Sequence, residues 1–263
     1  MFHVRPRVPV EVDKRSTYGR LVKADYRVND RGGGRLTAND PKYDLTLAGS
    51  SGGTWVEDGF DFAAGRKFAS PQEIPNVTGD QFGLLVCLSS SEADFDWRHV
   101  VSCRDAGGGP SNFSLEMLGG TFYIWSTISS GFVGWQTTNT INDGTFKSIL
   151  VYRDGGNPSF YINGTLDVGI SSSGTWSGTT DAATSHFCIG GAGYATGSEI
   201  DSTIIHSFTV FDGLVPNPAL LSARPYQFLK SNVVQFPYLA TGSTPASGLS
   251  IPVAMHNYRR MRA

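Results

Sequence analysis

Residues 146–169 read FKSILVYRDGGNPSFYINGTLDVG, and this stretch carries the clearest fold signal in the chain. In its first half, Ile149 and Val151 alternate with the residues around them, which is the two-residue period of a β-strand. Its second half contains Asn163-Gly164, a dipeptide that adopts positive φ angles and closes a tight hairpin turn of type I′. The stretch therefore predicts neighbouring antiparallel strands joined by short turns.

The same kind of signal continues along the rest of the chain. Short runs of β-branched and aromatic residues, separated by Gly, Asn, Asp and Ser, occur at residues 81–90, 98–104, 112–118, 121–126, 131–137, 186–191 and 202–213. The run QFGLLVCLSS at 81–90 has an unbroken apolar centre, which is typical of a strand buried on both faces. Apolar residues do not recur at helical spacing over more than two turns. The sequence therefore predicts an all-β protein, built as an antiparallel sandwich.

One short helix is expected near residues 217–223. Asn217 can cap the helix, Pro218 suits its first position, and a short apolar run follows. Pro225 cannot continue a helix and ends it.

The composition of the chain predicts three regions. Residues 1–18 alternate apolar and charged residues around two prolines, which indicates an extended N-terminal arm. Residues 19–230 contain the strand signals and the helix. Residues 231–263 are rich in Pro, Gly and Ser and have no period, so we expect an extended C-terminal tail that needs a partner to hold it.

Charge is distributed unevenly, although the net charge is only −2. Residues 1–27 contain seven Arg or Lys and three Asp or Glu, and residues 256–263 contain three Arg and no acidic residue. The rest of the chain is therefore acidic. Basic ends can bind the acidic body of a neighbouring subunit. We predict partner contacts at Arg5, Arg7, Tyr258, Arg259, Arg260 and Arg262.

Several functional classes receive no support from the sequence. Cys87, Cys103 and Cys188 each stand beside apolar strand residues, which indicates buried thiols rather than a disulfide or a metal site. No apolar segment resembles a signal peptide or a membrane span. The basic ends lack the interleaved aromatic residues of a nucleic-acid platform. We therefore expect neither a membrane nor a nucleic acid as a partner.

The order and spacing of four stretches resemble the laminin-G-like, concanavalin-A-like jelly-roll sandwich, in the form found in bacteriophage and prophage proteins. These stretches are YDLTLAGSSGGTWVEDGFDFAAG (43–65), FKSILVYRDGGNPSFYINGTLD (146–167), FCIGG (187–191) and SFTVFDGLVPNPALLSARPYQFL (207–229). The resemblance covers about residues 19–230. The ending RPYQFL at 224–229 is its most phage-like part.

This resemblance implies a jelly-roll sandwich with a structural role in a virion. We expect a capsid decoration or cement protein, or a tail accessory protein, located in the virion. Its arms would bind other virion proteins, either the major capsid protein or tail proteins, and copies of itself. Such a protein is not an enzyme and needs no cofactor. Because the same sandwich hosts lectins and glycosidases, particular residues must decide between these functions.

Residues 92–97, EADFDW, are the candidate stretch for catalysis. The β-glucanases of the laminarinase and lichenase type share this fold and carry E-x-D-x-(x)-E on a central strand, where two glutamates act as nucleophile and acid/base. Here the last acid is Asp96, and three serines precede the stretch. We therefore predict a solvated polar loop with no catalytic residue, in which Asp94 and Asp96 are candidate ligands for calcium. A β-glucanase-like hydrolase is the second alternative function.

A carbohydrate-binding module for host recognition is the first alternative. In the run TFYIWS, Tyr123 and Trp125 share one strand face while Phe122 and Ile124 share the other, so one pair must leave the core unless both faces are covered. Aromatic rings can stack on the pyranose rings of a host glycan. We take Tyr123, Trp125 and Trp135 as the candidate carbohydrate-binding residues. Packing inside the sandwich or against neighbouring subunits is the competing interpretation.

Overall fold

The structure of the chain is a computed structural model. It describes residues 10–28, 35–48, 53–56, 59–62, 67–69, 71, 73–93, 96–105, 111–128, 131–184, 186–192 and 199–231. In these ranges the chain forms nineteen strands, one α-helix and two short 3-10 helices, at Gly19–Leu21 and Pro41–Tyr43. None of these helices is long and apolar enough to cross a membrane.

The strands are numbered in chain order. They are β1 (Val10–Val12), β2 (Val22–Arg27), β3 (Arg35–Leu36), β4 (Leu45–Ala48), β5 (Thr54–Val56), β6 (Gly59–Phe62), β7 (Lys67–Ala69), β8 (Gln81–Ser90), β9 (Arg98–Arg104), β10 (Ser111–Leu118), β11 (Thr121–Ile128), β12 (Gly131–Thr140), β13 (Phe146–Asp154), β14 (Ser159–Ile162), β15 (Thr165–Asp167), β16 (Ile170–Ser173), β17 (Phe187–Ile189), β18 (Thr203–Asp212) and β19 (Leu229–Ser231). The α-helix, α1, is Pro218–Ala223.

Two large antiparallel sheets face each other. The nine-stranded sheet has the order β16-β12-β11-β10-β9-β17-β7-β4-β3. The eight-stranded sheet has the order β15-β14-β13-β8-β18-β6-β5, and β2 pairs with β18 beside this path. A separate two-stranded ribbon joins β1 to β19. The predicted antiparallel β-sandwich with one short helix is therefore confirmed.

The main core fills the space between the two sheets. Its fully buried rings include Tyr26, Phe60, Phe62, Phe68, Phe82, Phe113, Phe122, Phe160, Phe187 and Phe208. Many of these rings touch edge to face, as Phe60 and Phe62 do at 4.8 Å between centroids. Each buried ring of this size contributes roughly 1.5–3 kcal/mol through removal of apolar surface from water, so this layer supplies most of the driving force for folding.

A second apolar cluster lies on the outer face of the eight-stranded sheet. Four residues of the sheet point outward into it, namely Leu85, Leu150, Phe211 and Val22. They pack against Leu221 of α1, Val12 of β1 and Phe228, which precedes β19. Ser222 of α1 also donates to the carbonyl oxygen of Tyr161 at 2.6 Å. The helix and the β1–β19 ribbon therefore cover this face of the sandwich.

The stretch 146–169 forms the predicted hairpins. Strands β13 and β14 pair in register from Ile149 with Ile162 to Tyr152 with Ser159. Asn163 and Gly164 have φ angles of +51° and +88°, as the predicted turn requires.

The other local predictions also match the structure. Strand β8 is buried along nearly its whole length. The side chain of Asn217 caps α1 by accepting a hydrogen bond from the backbone N–H of Leu220 at 2.9 Å. All three cysteines are free and buried. Burial raises the pKa of each thiol above its ordinary value, to about 12 for Cys188, so the thiols stay protonated.

The predicted N-terminal arm is described only from residue 10 onward. Residues 10–12 form β1, in which Val10 lies opposite Ser231 of β19. The described part of the arm is thus attached to the sandwich of its own chain. The region boundaries at residues 18 and 230 stay predictions.

One buried carboxylate ties the two sheets together. Asp167 of β15 accepts hydrogen bonds from the backbone N–H groups of Thr138, Asn139 and Gly169 and from the side chains of Thr138 and Asn139. Thr138 and Asn139 belong to β12, so the carboxylate links the edge of one sheet to the other. Burial acts to raise the pKa of Asp167, but these donors outweigh it and lower the pKa below its ordinary value.

Replacing Asp167 by Asn is expected to lower the free energy of unfolding at pH 7 by about 1–3 kcal/mol, because an amide accepts fewer and weaker hydrogen bonds than a carboxylate. Since the folded-state pKa is lowered, this contribution is present above the unfolded-state value of about 3.9 and is lost as the pH falls through the folded-state pKa. Urea unfolding of both proteins from pH 7 into acid measures the effect.

The matched control is Asp154→Asn, which alters an exposed carboxylate whose hydrogen bonds come from the side chains of Gln81 and Tyr152. It should change stability by less than about 0.5 kcal/mol. If the difference in free energy of unfolding between the Asp167 variant and the wild type stayed constant from neutral pH into acid, the Asp167 carboxylate would not link the two sheets.

Candidate functional site

The two faces of β11 have opposite environments. Phe122 and Ile124 point inward and are fully buried in the main core. Tyr123 and Trp125 point to the outer face of the nine-stranded sheet. Successive residues of a strand point in opposite directions, so this pair lies outside when Phe122 and Ile124 lie inside. The prediction placed the two pairs on opposite faces, and the structure decides which pair is outside.

Four aromatic side chains meet on this outer face; we call Trp97, Tyr123, Trp125 and Phe132 the aromatic cluster. Trp125 lies parallel to Tyr123, with an interplanar angle of 2° and 6.1 Å between centroids, and nearly parallel to Phe132, at 14° and 5.1 Å. Trp97 stands perpendicular to them, 4.8 Å from Tyr123 and 5.6 Å from Trp125. Offset-parallel and edge-to-face pairs of this kind stabilise one another, so each ring is held in place.

A glycine makes room for the central ring. Gly134 of β12 lies opposite Trp125 in the strand register, and a Cβ atom at Gly134 would overlap Cζ3 of Trp125. The indole therefore lies flat over the backbone of β12, where any side chain would collide with it.

Two members of the aromatic cluster are open to solvent. Trp97, which ends the loop between β8 and β9, is 40% exposed, and Phe132 at the start of β12 is 46% exposed. The guanidinium of Arg104 lies 6.0 Å from the Phe132 ring centroid, within cation–π range. Tyr123 is nearly buried, and burial raises the pKa of its hydroxyl. Ligand stacking would therefore fall on Trp97 and Phe132, with Tyr123 and Trp125 supporting them.

A buried polar row runs across the same face beside the aromatic cluster. Glu116 of β10 lies opposite Tyr123, and His99 of β9 lies opposite Glu116. The Ser114 hydroxyl donates to Oε1 of Glu116 at 2.6 Å, while Nδ1 of His99 lies 3.0 Å from the Ser114 hydroxyl and 3.1 Å from the same Glu116 oxygen. We call these three residues, with Ser102, Glu199 and Lys67, the polar row.

The row continues away from the aromatic cluster. Glu199 bridges to His99 in the sheet, and its carboxylate lies 3.4 Å from Nζ of Lys67. Ser102 is fully buried between Ser114 and Cys188, and its hydroxyl has no hydrogen-bond partner among the described residues. Burying this many polar groups is costly, and the contacts among Ser114, Glu116 and His99 and between Glu199 and Lys67 offset part of that cost.

The predicted carbohydrate-binding residues separate in the structure. Tyr123 and Trp125 lie together on the outer face. Trp135 lies opposite Ile124 and packs against the main core, and its Nε1 donates to the carbonyl oxygen of Val168 at 3.4 Å. Trp135 therefore faces the interior, because one residue along a strand changes the face.

The EADFDW stretch forms a connection between β8 and β9, as predicted. Asp94 lies outside the described residues. The Glu92 side chain is buried, contrary to the expectation of a solvated loop, and its Oε2 accepts the backbone N–H of Asp201 at 3.1 Å. Asp96 is exposed and lies 4.0 Å from Arg98. Among the described residues, no three His, Cys, Asp or Glu side chains converge to hold a metal ion.

The six predicted partner-contacting residues all lie outside the described residues. Arg5 and Arg7 precede β1, and Tyr258, Arg259, Arg260 and Arg262 follow β19. Their predicted roles remain untested.

The fold is shared with several solved proteins. The chain superposes on the binding domain of botulinum neurotoxin serotype G with a TM-score of 0.55 and 14% identity, over 78% of this chain and 50% of that one. Domain 4 of AbnA, a GH43 extracellular arabinanase from Geobacillus stearothermophilus solved with arabinotriose, gives 0.54 and 16%, over 77% and 98%. The sialidase of Trypanosoma rangeli, solved with sialic acid, gives 0.53 and 11%, over 77% and 32%.

These similarities establish a common β-sandwich fold. The chain spans about half of the neurotoxin binding domain and about a third of the sialidase, but nearly all of the arabinanase domain. No protein-family model and no curated protein sequence matches the chain. A phage origin is not supported by the structural neighbours.

Gly134→Ala is expected to displace the Trp125 ring and to lower the free energy of unfolding by about 1–3 kcal/mol, because the new methyl group overlaps the indole. Near-ultraviolet circular dichroism of the tryptophans and thermal unfolding measure both effects. Gly156→Ala is the control, since a Cβ atom there meets nothing within 4 Å. An unaltered tryptophan spectrum in the Gly134 variant would contradict the position of Trp125.

Proposed function

We propose that this protein binds saccharides on the outer face of its nine-stranded sheet. The observation that carries the proposal is the aromatic cluster, which presents two exposed rings, Trp97 and Phe132, beside a buried polar row. The other outer face of the sandwich is covered by α1 and the β1–β19 ribbon. Exposed aromatic rings that are already held in position lose little freedom when a ligand stacks on them.

The two halves of the site match the two kinds of surface on a sugar. The C–H face of a pyranose or furanose ring is apolar and packs on an aromatic ring. The hydroxyl groups around its rim need hydrogen-bond acceptors and donors. Glu116 places a carboxylate next to Tyr123, and the Ser114 and His99 contacts hold that carboxylate in position. A few fixed polar groups beside apolar walls are the usual composition of a ligand site.

The structural neighbours support this proposal without deciding it. The arabinanase domain was solved with arabinotriose and the sialidase with sialic acid. The arabinanase domain is 16% identical to this chain and the sialidase 11%, which shows a common fold alone. The proposed site therefore rests on the residues of this chain. We propose binding without hydrolysis, because Glu92 and Asp96 lie in a connection between strands rather than side by side on a strand face.

Trp97→Ala and Phe132→Ala are each expected to weaken saccharide binding about tenfold or more, which corresponds to the loss of roughly 1.5 kcal/mol of stacking. A glycan array identifies the ligand, and calorimetric titration measures its affinity. Leu166→Ala is the control, because Leu166 is 51% exposed but lies on β15 of the other sheet.

The outcomes separate the alternatives. Equal loss of binding in the Leu166 variant would place the site elsewhere. If the wild-type protein bound none of the neutral and acidic glycans on the array, the proposal would be wrong. If new reducing ends appeared when a bound glycan was incubated with the protein, the protein would be a hydrolase rather than a binding protein.

We also propose, as a second function, the structural role in a virion that the sequence resemblance implies. One observation favours it: Val10 of β1 lies opposite Ser231 of β19, so the described residues nearest to the two basic ends of the chain are neighbours. Attachment at that ribbon would leave the aromatic cluster, which belongs to the other sheet, free to bind a host glycan.

Deletion of residues 240–263 is expected to abolish incorporation into particles while the melting temperature stays within a few degrees of the wild type, because strands β1 to β19 are retained. Incorporation is measured by the protein content of purified particles, and the melting temperature by calorimetry. Normal incorporation of the shortened protein would count against attachment through the C-terminal segment.

A further inference from the structure

A buried cation, Arg153, lies inside the sandwich near the end of β13. Arg153 pairs with Phe82 of β8 in the sheet, and Phe82 belongs to the main core, so the guanidinium points between the two sheets. Arg153 is 0% exposed and is the largest fully buried side chain of the described residues. A full charge at this depth requires compensation.

The hydrogen bonds of Arg153 go to neutral carbonyl oxygens. Its Nε donates to Gly156 at 2.8 Å, and its Nη2 donates to Gly178 at 2.7 Å and to Gly155 at 3.4 Å. No ion pair in the described part of the chain includes Arg153. Burial lowers the pKa of the guanidinium, and the charge of Asp80 acts in the opposite direction without a direct bond.

Two buried N–H groups beside this charge have no acceptor among the described residues. One is Nη1 of Arg153 and the other is Nε1 of Trp176, which is 2% exposed. The carbon at the centre of the guanidinium lies 5.5 Å from the centroid of the Trp176 ring, so both donors belong to one small region that Phe82 borders at 6.4 Å from the same ring. Buried donors are nearly always paired, and a pair of unpaired donors next to an unneutralised cation calls for an acceptor with negative charge.

We propose that Arg153 and Trp176 form an internal binding site for a small monovalent anion of the halide class. The anion accepts from Nη1 of Arg153 and Nε1 of Trp176 and balances the buried charge. A halide is small and accepts from several N–H donors without needing donors itself. Only two N–H groups lack an acceptor among the described residues here, and a monovalent anion matches the single positive charge of Arg153.

The site has a defined role in the fold. Residues 174–180 connect the two sheets at this end: Gly178 accepts from Arg153 of the eight-stranded sheet, and Thr180 bridges to Ile128 of β11 and accepts from Asn112 of β10. The anion holds Trp176, and with it this connection, against Arg153. Ligand binding to the folded state alone raises stability with the logarithm of ligand concentration.

The test compares the melting temperature in sodium chloride, sodium bromide and sodium gluconate at equal ionic strength, by calorimetry of the full chain. At a halide concentration about 100 times the dissociation constant, we expect the wild type to melt roughly 5 °C higher than in gluconate, an organic anion outside the proposed halide class. Equal melting temperatures in all three salts would overturn the proposal and leave water as the acceptor.

Two variants assign the effect to these residues. Trp176→Phe keeps an aromatic ring over the guanidinium but removes its donor, and should lose at least half of the halide shift. Arg153→Met removes the charge, and should lose the shift entirely; if it does not fold, the Trp176 variant decides. Trp135→Phe is the control, because its indole N–H bonds to Val168 instead, and it should keep the full shift. A full halide shift in the Trp176 variant would overturn the proposal.

Discussion

The alternation of side chains along β11 is the constraint on which the candidate site depends. Phe122 and Ile124 are drawn into the space between the sheets because their burial contributes to the main core. Tyr123 and Trp125 must then occupy the outer face, since successive residues of a strand point in opposite directions. The aromatic cluster is therefore a consequence of how the core is filled, and the rings of neighbouring strands and of the β8–β9 connection complete it.

The two outer faces of the sandwich have different roles. On the eight-stranded sheet, α1 and the β1–β19 ribbon bury outward-facing apolar residues such as Leu150 and Phe211 in a second cluster. On the nine-stranded sheet, the outward-facing residues include aromatic and ionisable groups whose partners lie on adjacent strands. One outer face is thus covered by the chain's own helix and ribbon, while the other presents the exposed rings of Trp97 and Phe132 on which the proposed saccharide site rests.

Two polar ties join the sheets at places where apolar packing alone does not. Asp167 accepts from five donors, four in β12 and one at Gly169 just after β15, and Arg153 binds the carbonyl oxygens of two connections. A carboxylate or guanidinium so buried is favourable only when several groups bind it at once. Both ties depend on backbone atoms, so their partners cannot be recognised from residue types.

The sequence by itself determined the fold class and most of the local structure. The alternation in 146–169 predicted β13 and β14, Asn163-Gly164 predicted the turn between β14 and β15, and Asn217 with Pro218 predicted the start of the helix. These signals depend only on residues close together in the chain. The face pairing of Tyr123 with Trp125 was also predictable, and the same alternation would have placed Phe132 with Gly134 and away from Trp135. Tertiary structure alone decided that Trp97 joins the aromatic cluster, that Trp135 faces the core, that Glu92 is buried, and that His99, Ser114 and Glu116 meet. Those contacts depend on which strands become neighbours and in which register, and a shift of one residue between distant strands reverses every face.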